Sequence, residues 1–252
     1  MRWQLSQREC AVTSQIHAVQ FLGFDTFGTI VDWRTGVARA VNSFASEHGL
    51  SIDPFDFADR WRALYQPAME EVRSGRRGWV ALEVLHRENL ETVLRTMGLD
   101  VAAFDDQQLA HVNRAWERLD PWPDSVEGLR RLKKRCTIAP ISNGSIAGMT
   151  ELARFGGLPW QFILGAEVTR TYKPQPQTYL GSVKAAGQTP KTSAMVAAHN
   201  SDLSAARALG MATVFIRRPI EHGPDQTTDL EPEDDWDIIA QNLIEVAEHL
   251  GC

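Results

Sequence analysis

Nowhere in the chain do some 18 apolar residues run together, and the opening MRWQLSQRECAVTSQIHAVQ lacks the apolar stretch of a secretory leader. Neither a membrane span nor export is expected. Cysteine is scarce: Cys10, Cys136 and Cys252 lie far apart, with no CxxC and no Cys/His pair at zinc spacing. A disulfide framework and a structural zinc are thereby disfavoured, and a reducing cytoplasm is the expected setting. Positive charge is also in deficit, with 26 basic against 32 acidic residues and a formal charge of -6. No basic field exists to hold nucleic acid or an anionic membrane surface. Repeats and low-complexity tracts are absent too, which argues against solenoid architectures. What remains is an ordinary globular composition, 43% hydrophobic and 23% charged over 252 residues, enough for one large core or a core with an insertion.

Short apolar runs alternate with helical patterns. HAVQFLGFD ends at Asp25; further runs span Cys136 to Ser142, Gln161 to Ala166, Ser193 to Ala198 and Ala212 to Ile216. Continuous apolar runs of this length read as buried parallel strands. Between and after them, apolar residues recur at helical spacing: Val126/Leu129/Leu132, Ile146/Met149/Leu152, Tyr179/Leu180/Val183, Leu203/Ala206/Leu209 and Ile239/Leu243/Val246/Leu250. The alternation predicts an α/β fold, a doubly wound parallel sheet in a three-layer sandwich. From Val37 to Leu119 only helical periodicity appears, which predicts a helical cap inserted after the first strand and closed by Pro121-Trp122-Pro123. The expected division is 1–34 with 121–252 as the core domain and 35–120 as the cap. Within the cap, Trp61, Tyr65 and Met69 share one helical face and read as its core. The polar stretch EHGPDQTTDLEPEDD from Glu221 reads as a connection, its acidic end as a solvated face.

Such sheets bind ligands at the carboxyl ends of their strands, and the reactive residue types collect there. Asp25 ends the first strand in FDTFGT. Ser142 and Asn143 end another in ISNGS, where a hydroxyl, a carboxamide and turn N–H groups can hold an anion. Lys173 in YKPQPQTY precedes a proline, with Tyr179 six residues on. Asp202 and His199 fall in MVAAHNSD after another strand. An imidazole there suits a general base or a donor to a departing anion, or simply fills space with hydrogen bonds.

From about Phe21 to about Ile216 these motifs resemble the haloacid dehalogenase superfamily. Its phosphatases carry DxDGT at the first motif, the second acid protonating the leaving oxygen; here that position is Phe27. At the fourth motif they carry GDxxxD, two acids that help hold Mg²⁺; here the first is Ala198 and only Asp202 remains. A halide leaves without a proton, so the pattern is similar to that of the (S)-2-haloacid dehalogenase branch, and no metal or other cofactor is expected. The resemblance implies Asp25 as nucleophile and Lys173 as the cation that keeps it ionised. It also implies Thr29 and Ser142 as carboxylate binders, Asn143 as halide donor, Tyr179 as a substrate-binding residue, and Asp202 as a partner of Lys173 that helps position or activate the hydrolytic water. DRWRALYQ resembles the helix that carries an arginine into the site, which makes Arg62 the match and Arg34 its competitor, with Phe27 and Trp33 narrowing the pocket. His199 and Ala197 depart from the branch's SSNAWD. The implied reaction is hydrolysis of small 2-haloacids (chloro-, bromo- and fluoroacetate), often by an L-specific homodimer. A phosphatase and a catalytically silent binding module are the competing readings.

Overall fold

The computed structural model describes residues 15–252 of the chain; Cys10 lies outside them. Five strands, β1 (Phe21–Phe24), β2 (Thr137–Pro140), β3 (Ser193–Ala197), β4 (Ala212–Ile216) and β5 (Ile238–Ala240), form one sheet in the order β2-β1-β3-β4-β5. All four pairings are parallel. Successive side chains alternate between two apolar layers. Leu22, Phe24, Ala194, Val196, Val214 and Ile216 enter one, while Phe21, Met195, Ala197 and Phe215 enter the other. Both faces are thus dry, which is why the strands read as continuous apolar runs.

Between β1 and β2 stand the helices α1 (Trp33–His48), α2 (Pro54–Ala63), α3 (Tyr65–Arg73), α4 (Leu82–Thr96) and α5 (Asp106–Asn113). Asp32 starts α1 by accepting from Thr35 N at 3.0 Å, two residues before the expected boundary of the insertion. The core helices are α6 (Ser125–Leu132), α7 (Ile146–Gly156), α8 (Pro176–Ala185), α9 (Asn200–Ala208) and α10 (Leu243–His249).

Three expectations need correction. Gln161 to Ala166 is not a strand. Gln161 meets the open edge of β2, its N–H on Ile138 O at 3.2 Å and its side-chain oxygen on Ile138 N at 2.8 Å. Trp160 and Phe162 then pack on Phe24 and Phe21, so the apolar run covers the edge without extending the ladder. Ile239 belongs to β5 and not to the last helix; its spacing to Leu243 mimicked a helical turn, but Asn242 caps α10 only afterwards. The helix expected through Trp61, Tyr65 and Met69 breaks at Leu64. Pro67 is the cause, since it has no N–H for Ala63 O and its ring crowds that carbonyl.

Candidate active site

The strand order turns back at β1, so the carboxyl ends of β1 and β3 open the crevice in which such sheets hold ligands. Asp25 sits there, 7% exposed, its N–H on Val196 O at 3.0 Å. Thr29 donates to Asp25 Oδ2 at 2.6 Å and accepts from Ala198 N at 2.9 Å, which locks the hydroxyl toward the carboxylate. Lys173 Nζ donates to Asp25 Oδ1 at 2.7 Å and also to Asp202. Burial works to raise the Asp25 carboxyl, but the Lys173 charge and the His199 hydrogen bond outweigh it and hold Asp25 well below the usual carboxylate range.

Asp202, on α9, accepts from Tyr179 OH at 2.5 Å as well as from Lys173. Burial and the neighbouring Asp25 anion push Asp202 up despite Lys173. Desolvation pulls the Lys173 ammonium down, yet the two carboxylates more than compensate and raise it. The lysine is further fixed by its backbone: its N–H donates to Asn143 Oδ1 at 2.8 Å, and its carbonyl accepts from Arg73 Nη1 at 2.7 Å.

His199 lies between two carboxylates. Its Nδ1 is 3.2 Å from Asp25 Oδ2 and its Nε2 is 2.9 Å from Glu221 Oε2. Burial lowers the imidazole, but Glu221 and Asp25 prevail and raise it well above its ordinary value.

A cavity of about 860 Å³ opens over Asp25, with Phe27, Trp33, Arg62, Tyr65 and Asn143 among its walls, within the ordinary range for small-molecule sites. Arg62 descends from the insertion, its guanidinium 4.2 Å from the Tyr65 ring and 5.2 Å from the Trp33 ring. Its Nη1 is buried without a hydrogen-bond partner, a donor waiting for an anion. Arg34, the competitor, instead makes two 2.7 Å bonds to Asp59 and covers Phe55; Asp59 lines the cavity and Arg34 does not.

Asp25, Phe27, Thr29, Trp33, Arg62, Asn143, Lys173, Tyr179, His199 and Asp202 are thus brought together around one cavity. Ser142 is not: its hydroxyl accepts from Gly144 N at 3.3 Å inside its own turn. Nor is the start of α7 free for an anion, because Glu167 takes Ile146 N and Ser145 takes Gly148 N. Tyr65, read as cap core, reaches the site instead, its hydroxyl accepting from Asn143 Nδ2 at 3.1 Å; Trp61 and Met69 are fully buried. Sequence reasoning missed Arg73 and Glu221. Glu221 follows β4 on the ligand-binding edge, and that position was the available signal.

The haloacid dehalogenase-like hydrolase family model matches residues 21–210. The chain belongs to the haloacid dehalogenase-like hydrolases. A solved structure of a defluorinating L-2-haloacid dehalogenase is 49% identical, with a TM-score of 0.92 over 93% of this chain and 96% of that one. A second L-2-haloacid dehalogenase structure is 42% identical, with a TM-score of 0.88 over 92% and 99%. Among curated proteins, the (S)-2-haloacid dehalogenase of Pseudomonas fluorescens is 27% identical over 237 residues, 92% of this chain and 96% of that protein. These likenesses place the chain in the 2-haloacid dehalogenase branch, hydrolases acting on carbon-halide bonds. The donors that a magnesium ion would need in this family do not fit here: Phe27 and Ala198 supply no carboxylate, and the Lys173 ammonium bridges Asp25 and Asp202. Among the described residues no group of three or more His, Cys, Asp or Glu is arranged for a metal, and no helix is long and apolar enough to cross a membrane.

Proposed function

We propose that the protein hydrolyses short-chain 2-haloacids, chloro-, bromo- and fluoroacetate among them, to 2-hydroxyacids through an ester on Asp25, without metal or cofactor. One observation carries the reading: a buried, ionised carboxylate lines the same cavity as a guanidinium whose buried Nη1 has no hydrogen-bond partner. A nucleophile and an anion receptor across one cavity suit a substrate with an electrophilic carbon and a departing anion. Asp25 attacks the halogen-bearing carbon from the rear, with inversion, and the halide departs toward Arg62 and Asn143. Lys173 keeps Asp25 ionised beside the anionic substrate. Asp202 has both oxygens engaged by Lys173 and Tyr179, so its part is to hold the lysine. Water then attacks the ester carboxyl carbon and the hydroxyacid leaves. The helices of 35–120 act as the cap that brings Arg62 over the nucleophile, and Phe27 and Trp33 narrow the pocket toward small acids.

The enantiomer carried over from the relatives is L, that is (S), and the homodimer expected of the branch is checked by light scattering. Cys136 and Cys252 are free, in keeping with a reducing cytoplasm. Halide release from chloro-, bromo- and fluoroacetate, with and without a chelator, tests the reading. Release indifferent to chelation is expected. A requirement for Mg²⁺ together with phosphate release from small phosphoesters would replace it with the phosphatase, against which Phe27 already speaks by offering no acid to an alkoxide.

A further inference from the structure

Glu221 has no part in the chemistry above, yet it is 1% exposed and lies in the site. Its surroundings are built for a carboxylate. Oε1 accepts from Trp33 Nε1 at 3.0 Å, with His222 Nε2 at 3.5 Å, and Oε2 meets His199 Nε2 at 2.9 Å. Gly28 is at φ +89°, and a Cβ there would fall 2.0 Å from Oε1, so the nucleophile turn is glycine where the carboxylate presses on it. The stretch that carries Glu221 is tied to that turn. Arg218 donates Nε to Thr29 O at 2.9 Å and both terminal nitrogens to Asp124 at 2.8 Å.

We propose that Glu221 is a positioning residue that holds the His199 ring with Nε2–H toward itself and Nδ1 toward the Asp25 carboxyl, making His199 the base that draws water onto the Asp25 ester. The proposal rests on the ester reading. It also decides between the two roles open to His199. Rear-side displacement puts the halide on the far side of the carbon from Asp25, whereas Nδ1 lies 3.2 Å from Asp25 itself and Nε2 is taken by Glu221. Neither nitrogen faces the departing halide.

Protons balance as follows. In the free enzyme the ring, between two carboxylates, carries both protons. Alkylation of Asp25 removes one of those anions, and the Nδ1 proton passes to solvent as the halide ion leaves. Neutral Nδ1 then takes a proton from water as the water oxygen bonds to Asp25 Cγ. Collapse breaks the bond from Cγ to the alkyl-bearing oxygen, and the ring returns its proton to that oxygen, giving the hydroxyacid. Asp25, left as the acid, gives its proton to Nδ1. A glutamate that fixes the tautomer does for this histidine what the aspartate does in a serine hydrolase triad.

The experiment is single-turnover and steady-state reaction of wild type, Glu221→Gln, Glu221→Asp, His199→Asn and the Gln/Asn double variant with chloroacetate and fluoroacetate, following halide, glycolate and intact-protein mass. Glu221→Gln should release one halide per site at close to the wild-type rate and accumulate the Asp25 adduct. Its ester hydrolysis should slow by at least about 100-fold, a conservative fraction of what tautomer loss costs in such triads. Both substrates give the same ester, so the slowing must be equal for the two, and Glu221→Asp should restore part of the rate. The double variant should be no slower than His199→Asn. Slowed first-turnover halide release without adduct, or a double variant slower than His199→Asn by the full Glu221→Gln factor, would overturn the role of Glu221. Adduct in His199→Asn but none in Glu221→Gln would do the same while leaving the ester reading intact. Glycolate formed with no adduct in any variant would remove the ester reading itself.

Discussion

Replacing Lys173 by Met removes a cation that donates to both Asp25 and Asp202, each less than a tenth exposed. Two buried anions then face each other with only the His199 ring left beside Asp25 to offset them. Removing one partner of a buried pair costs about 3–5 kcal/mol. An unfolding entropy of about 2.1 cal/mol/K per residue, or about 0.5 kcal/mol/K for a chain of this length, converts that loss into a midpoint lower by roughly 6–10 °C. The pH dependence should also weaken. In the wild type Asp25 is held below its unfolded value of 3.8, so it adds stability above that pH and loses the contribution only as pH falls through the folded value. Without Lys173 the largest charge that lowers Asp25 is gone, and its folded value rises, held down by His199 alone against the desolvation. Asp25 then adds less stability above its unfolded value than it does in the wild type. Thermal and urea unfolding of wild type, Lys173→Met, Asp25→Asn and the double variant, at acid and neutral pH, measure this. The double variant should recover part of the Lys173→Met loss, because the orphaned anion is gone. A Lys173→Met loss below about 1 kcal/mol, the range of an exposed pair, would refute the reasoning.

Arg62→Leu should lower kcat/KM for haloacetates by about 10²–10³, the cost of one anion-stabilising donor; unchanged kcat/KM would take Arg62 out of the site. Gly28→Ala should cost roughly 1–3 kcal/mol for a side chain at φ +89° and slow turnover as Glu221 is displaced, seen in unfolding and halide-release assays. His199, raised between its carboxylates, adds stability fully present below its unfolded value near 6.5 and lost as pH rises through the folded one. The stability gap between wild type and His199→Asn should therefore be widest in mild acid and narrow in alkali.

Residues whose role depends on local pattern were legible in the sequence. Asp25, Asn143, Lys173 and Asp202 sit in short motifs that the family resemblance made readable, and the fold brings all four within a few bonds of one another. Glu221 was not legible, because its partners His199 and Trp33 lie 22 and 188 residues away. It sits in a stretch whose composition resembles any polar connection. Arg62 and Arg34 were indistinguishable by type; in the structure they differ in that Asp59, three residues before Arg62, pairs with Arg34. The misread strand at Gln161 shows why apolarity alone is ambiguous. Residues that shield a sheet edge and residues that form one are equally apolar, and the ladder bonds that separate them are backbone facts.

The central claim is that the carbon–oxygen bond of the product is made by Asp25 and not by water. A single turnover of excess enzyme with chloroacetate in heavy-oxygen water, followed by mass analysis of the peptide carrying Asp25, tests it. Label is expected in one Asp25 oxygen and not in the first glycolate released, with labelled glycolate only in later turnovers. Label in the first glycolate with an unlabelled Asp25 would contradict it.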